Sequence, residues 1–597
     1  MNQESGTRSR RWWVWPLILV GALSTCLLRC ALGGDAPRDE SGGVGAVEVR
    51  EIALRSPPAS GPGRGGLGAG REPTMQQVFT QLRLIEQQDT ARGLFLRLGP
   101  MGGAWGTVAD LVEAIGRVRA AGKPVHCHFD MLDNAGYALA ASACDRLSMT
   151  PAGHLNLVGV AAQVFYARQL LDSVGVRAEV IAMGRFKSAG DMFTETTMSE
   201  AAREATNALL DDVSAGLAES VARRFEGDLA RARAVIDTGP FGAESARAAG
   251  LIDAVAFDDE AREHARLAGD APRVRAIELP VDRDEGFVAM VGRLAADGRA
   301  DEIHEPHVAV VHVTGNIVDG ESPSGASAVS GPFVTEVRRL ADDVNVRAVV
   351  LRIDSPGGSA LASDRMWHAV RRLAGRKPVV ASLGDVAASG GYYIAAAARE
   401  IYAQPASIVG SIGVLGGKVD ASGLFERLGV SPVVITRGAR AAWMTPTRGL
   451  TEDEHAAVAG LLRSAYERFL RRVGTGREMP RAEVHAVAQG RVMSGLAGHR
   501  LGLVDTLGGF SAAVARAREL GELPADAPLE EWPRDASVLE ALTSLATGAR
   551  TQEAVTFSLW MELAERISPR VADMSSAPLL LCEDPILAAL PYSVEIR

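Results

Sequence analysis

A serine set among small residues is the first feature of this sequence that could do chemistry. Ala387-Ala388-Ser389-Gly390-Gly391-Tyr392-Tyr393 follows a predicted strand and leads into an alanine-rich helical run, Ile394–Arg399. A serine at a strand-to-helix turn presents its hydroxyl at a helix N-terminus, where unpaired backbone N–H groups and the helix dipole favour a developing oxyanion. Its small neighbours would let a peptide backbone approach. The elbow Gly-x-Ser-x-Gly is not matched, because Ala387 stands at the first glycine position, and this counts against an α/β-hydrolase. Upstream, Asp354-Ser355-Pro356-Gly357-Gly358-Ser359 ends another predicted strand. With the amide of Gly390, the amide of Gly357 or Gly358 would complete an oxyanion hole. A plain glycine turn between strand and helix fits the same residues.

Such a serine needs a base. None of the eleven histidines sits in a comparable motif. His126 and His128 flank Cys127 on a predicted buried strand and His312 lies inside a strand, where core or surface roles suffice. Gly184-Arg185-Phe186-Lys187-Ser188-Ala189-Gly190 stands out instead, with its lysine following a mostly apolar strand, Ala178–Met183. Lysine is a base only when neutral, so burial would have to bring its pKa from about 10.4 toward about 7 or 8. An ordinary surface lysine is the competing reading of the residues alone.

The elements that must hold these groups occur twice. Phe95-Leu96-Arg97-Leu98, then Gly102-Gly103, reappears as Val350-Leu351-Arg352-Ile353, then Gly357-Gly358. Ala121–Val125 has its counterpart in Arg376–Val380, Asn134–Tyr137 in Ser389–Tyr392, Leu171–Val176 in Phe425–Val430, and Gly184 falls on Gly438. Ordered blocks at a near-constant offset of about 255 residues mark a tandem duplication. Within each copy, short β-branched runs (Val308–Val313, Ala348–Ile353, Val379–Ser382) alternate with helical patterns (Phe333–Asp343, Ser363–Leu373). This predicts βαβ crossovers and a mainly parallel sheet. Val47–Leu54 and Val308–Val313 would open the two units, with the charged Asp282–Glu305 as a linking helix. The glycine-rich Gly61–Gly70 reads as a loop, since no Gly-Lys-Ser/Thr follows it to cradle phosphate. Beyond about Pro524 the chain lies outside both repeats, with apolar helical patterns around Leu539–Leu545 and Leu559–Ile567.

Composition narrows the classes further. With 597 residues, 47% of them hydrophobic, the chain can bury a large core, which excludes disorder. A net charge of −10, with no basic block beyond the first dozen residues, leaves no footprint for nucleic acid. Five cysteines without CxxC pairing suggest neither a zinc site nor a disulfide framework. Arg8, Arg10 and Arg11 precede an apolar run, Trp12–Leu28, about long enough to cross a bilayer. With the arginines inside, everything downstream is exported. A signal peptide cleaved near Ser24 or Ala31 and a lipid-modified Cys26 after Leu23-Ser24-Thr25 are the alternatives to a retained anchor.

From about Gly45 to about Gly509 the sequence resembles the long, duplicated form of the SppA signal peptide peptidases, relatives of the Clp protease and crotonase folds. The matching blocks are Gly-Arg-Phe-Lys-Ser-Ala at 184–189, Asp-Ser-Pro-Gly-Gly-Ser at 354–359, Ala-Ser-Gly-Gly-Tyr-Tyr at 388–393 and Gly-Ser-Ile-Gly at 410–413. Ala488–Val492 and Gly502–Asp505 also fit, whereas Gly190-Asp191-Met192-Phe193 departs from the proline-containing segment of the family. The resemblance implies an α/β fold: a tandem duplication of a Clp/crotonase-like βαβ unit with mainly parallel sheets, plus an N-terminal transmembrane helix. The expected organisation is a signal anchor or signal peptide (1–32), a short tether (33–44), a first repeat (45–281), a linking helix (282–305), a second repeat (306–524) and an extension of unknown role (525–597).

The resemblance further implies a serine/lysine dyad split between the repeats. Lys187 takes the proton of Ser389, Ser411 holds the lysine amine, and the amides of Gly390 with Gly358 or Gly357 bind the oxyanion. At the offset, Asn134 occupies the nucleophile position of repeat one and Ala441 the base position of repeat two, so each chain would carry one site. No metal or cofactor is expected. The implied setting is a bacterial inner membrane with the catalytic domains on the periplasmic side. Signal peptides and unfolded apolar segments would be the substrates, and the assembly a homo-oligomer, a tetramer. The rival readings are a non-catalytic membrane scaffold, an acyl-CoA enzyme of the crotonase class and an exported esterase.

Overall fold

The computed structural model describes residues 47–61, 73–277, 279, 303–321, 327–533 and 586–589, and all of these from Glu48 onward fall in one compact unit. Its framework is a pair of sheets built to one plan. In the first, Glu48–Leu54, Ala91–Leu98, Val125–Leu132 and Arg146–Leu155 pair in parallel in chain order. Val274–Ala276 adds beside the first of these and Phe241–Gly242 beside the last. In the second, His307–Thr314, Val346–Ser355, Val379–Ala388 and Ile408–Gly410 repeat the series, with Leu529–Trp532 and Val492–Ser494 at the matching ends. The strand Leu529–Trp532 carries the second sheet beyond residue 524, the expected limit of that repeat.

The central strands are nearly continuous apolar runs because helices cover both faces. Val346–Ser355 is buried at most positions, with Val350 facing Val310 on one side and Val380 on the other. The crossover helices Trp105–Ala120 and Ala360–Ala374 occupy equivalent places in the two copies. In the second, Met366, Trp367, Val370 and Leu373 line the buried face, and Ser359 caps the N-terminus by accepting from the amide of Ala362 at 3.1 Å.

The two copies share a core. Leu111 and Ile115 of the first pack in one cluster with Val350, Val380 and Phe510 of the second, and Phe79 stacks on Phe510 at 5.8 Å. Inside this junction the guanidinium of Arg352 donates to Asp110 at 2.8 Å, and both residues are buried. The backbone and hydroxyl of Thr107 donate to Asp385 at 2.8 and 2.7 Å. Unpairing buried charges of this kind typically costs about 3–5 kcal/mol, so the junction resists separation.

A third, smaller sheet joins the repeats. Its strand order is Ala328–Val329, Ile317–Val318, Gly357–Ser359, Ile586–Ala589, Val414–Asp420 and Arg177–Met183. It therefore combines strands of both repeats with one strand from the extension.

One expectation is corrected. Cys127 and Cys144 form a disulfide, which the lack of CxxC spacing had not suggested. Cys127 lies in the strand Val125–Leu132, and the helix Asn134–Ala143 returns the chain so that Cys144, at its C-terminal end, comes to a Cα distance of 6.0 Å. The apolar run 12–28, most of the glycine loop, the 282–302 part of the linking segment and the helical patterns at 539–545 and 559–567 lie outside the described residues. Among the described residues no helix is long and apolar enough to cross a membrane.

Candidate active site

Ser389 ends the strand Val379–Ala388 and opens the helix Gly390–Ala395. The turn is sharp enough to hold it at φ 52°, ψ −111°, a region that non-glycine residues seldom occupy. Its own amide donates to Gly410 O at 2.8 Å and its carbonyl accepts from Tyr393 N at 2.8 Å, so the backbone on both sides fixes the serine. Conformational strain retained in this way is common where a side chain must be aimed.

Lys187 arrives from the other repeat. Its Nζ lies 2.9 Å from Ser389 Oγ and 3.0 Å from Ser411 Oγ, and it donates to Ser411 O at 3.3 Å. Ser389 and Ser411 have no exposed surface and Lys187 has 3%. Burial brings the Lys187 amine down to about 7. Near neutral pH the amine is therefore available as a proton acceptor within hydrogen-bond reach of a hydroxyl.

The lysine is held by contacts between segments far apart in the chain, which carry no signal in residue spacing. The strand Arg177–Met183 pairs antiparallel with Val414–Asp420, bringing Met183 opposite Val414, just after Ser411. Gln489 O accepts from Phe186 N at 2.8 Å, and Gly490 N donates to Ile412 O at 2.9 Å. A Cβ on Gly490 would come 2.6 Å from the Cβ of Lys187, and Gly490 sits at φ 78°, so glycine is required there twice over. Arg491 lies over the Phe186 ring at 3.8 Å, closing the cradle from outside.

The glycines of 354–359 flank the serine. Gly358, at φ 153°, abuts Ile317 so closely that a Cβ would meet its carbonyl oxygen at 2.1 Å. Gly357 N already donates to Ser355 Oγ at 3.2 Å, which favours Gly358 as the companion of Gly390 in an oxyanion hole. Asp354 holds this turn against the serine strand by accepting from Val386 N at 3.0 Å. Of the histidines weighed as bases, His128 pairs with Ser148 at 3.0 Å and His312 with Glu531 at 3.4 Å, both away from Ser389. Among the described residues no group of His, Cys, Asp or Glu could hold a metal ion.

With this geometry in view, the profile of peptidase family S49 matches residues 117–271 and again 371–524, just over half of the chain. The chain belongs to peptidase family S49. This places it among the serine peptidases, and the two matches begin 254 residues apart, the interval of the duplication. It is 31% identical to "Serine protease SPPA, chloroplastic" of Arabidopsis thaliana over 441 residues, 72% of this chain and 63% of that protein. It is 29% identical to "Protease 4" of Salmonella typhi over 494 residues, 80% of this chain and 77% of that one. "Protease 4" of Haemophilus influenzae is likewise 29% identical, over 490 residues. The chain thus spans less than two thirds of the length of the plant protein.

In this peptidase the first repeat's counterpart of the site is closed. Asn134 spends its side chain on the loop ahead of it, donating to Gly159 O at 2.9 Å and accepting from Val158 N at 3.0 Å. The carboxylate of Asp133 accepts from Met101 N at 3.0 Å, Gly102 N at 2.6 Å and Gly136 N at 2.8 Å. Gly102 and Gly136 are the counterparts of Gly357 and Gly391, so an internal carboxylate lies beside the place that the counterparts of Gly358 and Gly390, Gly103 and Ala135, would define. Ala441, at the base position of repeat two, is exposed.

Proposed function

We propose that this chain is an endopeptidase working through an acyl-enzyme. Ser389 attacks the peptide carbonyl as Lys187 takes its proton, and Lys187 returns that proton to the leaving amine. Ser411 orients the neutral amine, and the amides of Gly390 and Gly358 hold the oxyanion. The observation that carries this reading is the 2.9 Å approach of the buried Lys187 amine to Ser389 Oγ.

Peptide is favoured over ester as substrate by the small sheet. Ile586–Ala589 lies antiparallel both to Gly357–Ser359 and to Val414–Asp420. A slot beside the oxyanion glycines therefore accepts an extended chain through its main-chain groups, the mode in which sheet edges recognise peptides. The burial of Leu587, 2% exposed, supports an apolar side chain in the slot. Signal peptides and other unfolded apolar segments fit such a slot. The names of the relatives are those of proteases, and the family resemblance supports the apolar run 12–28 as an anchor in a bacterial inner membrane. The disulfide Cys127–Cys144 supports catalytic repeats on the oxidising, periplasmic side. The family resemblance supports a homotetramer.

The test is hydrolysis of an apolar peptide ester and of an unfolded casein-like protein by the wild type, Ser389→Ala and Lys187→Ala. Both variants should lose at least about a thousandfold in kcat while remaining folded. Full activity in Lys187→Ala would remove the lysine as base, and an inactive wild type would favour a scaffold.

A further inference from the structure

Four residues from the two repeats meet beside the lysine, and each touches the next. Arg491 stands just ahead of the strand Val492–Ser494, and its guanidinium lies over the Phe186 ring at 3.8 Å, with that of Arg185 over the same ring at 4.9 Å. Glu204 joins the two cations, accepting from Arg185 at 3.1 Å and from Arg491. Phe186 itself is buried. Glu204 belongs to the helix Glu200–Ala222 of repeat one, and eight residues further along the same face Asp212 accepts from Ser494 Oγ. The helix is thus fastened along the strand of repeat two at two points.

Arg491 also reaches the other side of the amine. Its carbonyl accepts from Ser411 N at 2.7 Å, while Gln489, two residues before it, accepts from Phe186 N at 2.8 Å. One short segment therefore fixes both the residue before Lys187 and the serine whose hydroxyl meets the lysine amine at 3.0 Å. The ion pairs themselves are exposed, with 58% of the Arg185 side chain and 44% of the Glu204 side chain in water, so they add little stability. Their role is orientation, since a planar guanidinium tethered at one edge keeps its face on an aromatic ring. The hydrogen bond from Arg491 holds the Glu204 carboxyl below its ordinary range, so the tether stays ionised near neutral pH. The other titratable groups against this segment are engaged elsewhere: Tyr466 Oη with Gln489 N at 3.3 Å and His485 at 3.1 Å, and Asp191 with Ser199 at 3.0 Å.

The duplication supplies an internal comparison. Gly250–Asp253 falls on Gly502–Asp505, which puts Gly239 in the place of Arg491, and the helix caps Ser199 and Thr451 correspond, which puts Ala456 in the place of Glu204. With Gly184 on Gly438, Arg185 and Phe186 fall on Ala439 and Arg440. None of the four is kept where Ala441 holds the base position. The clamp accompanies the lysine.

We propose that Arg491 is a positioning residue for the base: tethered by Glu204 and laid on Phe186, it fixes the Lys187 amine between the hydroxyls of Ser389 and Ser411. It acts through Phe186 and Ser411 and transfers no proton itself. This role presupposes Lys187 as the base, as proposed above.

The experiment follows kcat and kcat/KM for an apolar peptide ester against pH, using the full chain in detergent, in the wild type, Arg491→Ala, Glu204→Gln and Lys187→Ala. A loosened amine gathers water, so Arg491→Ala should raise the apparent pKa by about one unit and lower kcat about tenfold with KM unchanged. The loss is then larger at pH 7 than at pH 9. Glu204→Gln, at an exposed position, should move the profile the same way by less, and it decides the matter if Arg491→Ala does not fold. A purely structural clamp would lower the melting temperature and leave the apparent pKa in place, and that outcome overturns the proposal. Lys187→Ala separates the two readings. Turnover retained in that variant removes the base itself, whereas an inactive Lys187→Ala beside unmoved profiles in both clamp variants removes the clamp alone.

Discussion

At the scale of single residues, the proposed site turns on one amine whose proton affinity burial lowers. Burial draws Lys187 down to about 7, far below an unfolded lysine. As a base it works only when deprotonated, so kcat/KM for a peptide ester is expected to rise with pH through an apparent pKa near 7 and then level. A profile flat from pH 5 to 9 would contradict Lys187 as base. The same shift has a cost in stability with a definite sign. A lysine whose folded pKa is lowered penalises folding fully below that pKa, and the penalty fades as pH rises toward the unfolded value. Lys187→Met should therefore melt higher than wild type at pH 6, by roughly 5 kcal/mol at most, with the difference shrinking between about pH 7 and 10. Thermal melts across that range check it. Ser411 acts on the same amine from 3.0 Å. Ser411→Ala should lower kcat by about ten- to a hundredfold with little change in KM, the usual effect of losing one hydrogen bond to an ionisable group. A KM effect alone would make Ser411 a substrate contact instead.

At the scale of elements, a short strand of the extension sits where an extended substrate would lie, across from Gly357–Ser359. Tail and substrate then compete, and the apparent affinity for substrate falls by the fraction of molecules whose slot is free. Leu587→Asp places a charge at a buried position and should weaken the tail strand, raising kcat/KM for a short apolar ester several-fold. No gain in that assay would mean that the tail strand lies clear of the substrate path. The sequence displays some elements better than others for physical reasons. Long parallel strands such as Val346–Ser355 and their crossover helices announce themselves by apolar runs and by repetition. The serine turn was legible for the same reason, since strand, small residues and helix follow one another directly. The four residues Ile586–Ala589 have too little length to show a period, and become a strand only through two distant partners. The grip of Gln489 and Gly490 on the lysine segment spans some 300 residues of chain, and the Cys127–Cys144 bridge depends on a helical return, so neither spacing betrays it.

At the scale of the whole molecule, the proposed dyad draws one residue from each repeat, while the serine turn of repeat one has its counterpart residue bound into a loop. The shared core and the buried Arg352–Asp110 pair fix the repeats so that Lys187 of one reaches Ser389 of the other. Repeat one has the same strand, turn and helix, with Asp133 in the place of Ala388, Asn134 in that of Ser389 and Ala135 in that of Gly390. Asn134 is bound into the loop at 158–159, and Asp133 takes the amides of Met101, Gly102 and Gly136 beside it. Restoring the serine alone should therefore restore nothing. In a Ser389→Ala background, Asn134→Ser is expected to stay at the level of Ser389→Ala in peptide ester hydrolysis, because a carboxylate adjoins the new serine and Ala441, not a lysine, stands at the base position. Adding Asp133→Ala would free the amides of Met101 and Gly102, yet Ala441 at the base position of repeat two is exposed and has no amine to give. Activity above the Ser389→Ala background in either combination, measured by burst titration with an acylating ester, would show that repeat one retains a working site and that the division of labour between the repeats is incomplete.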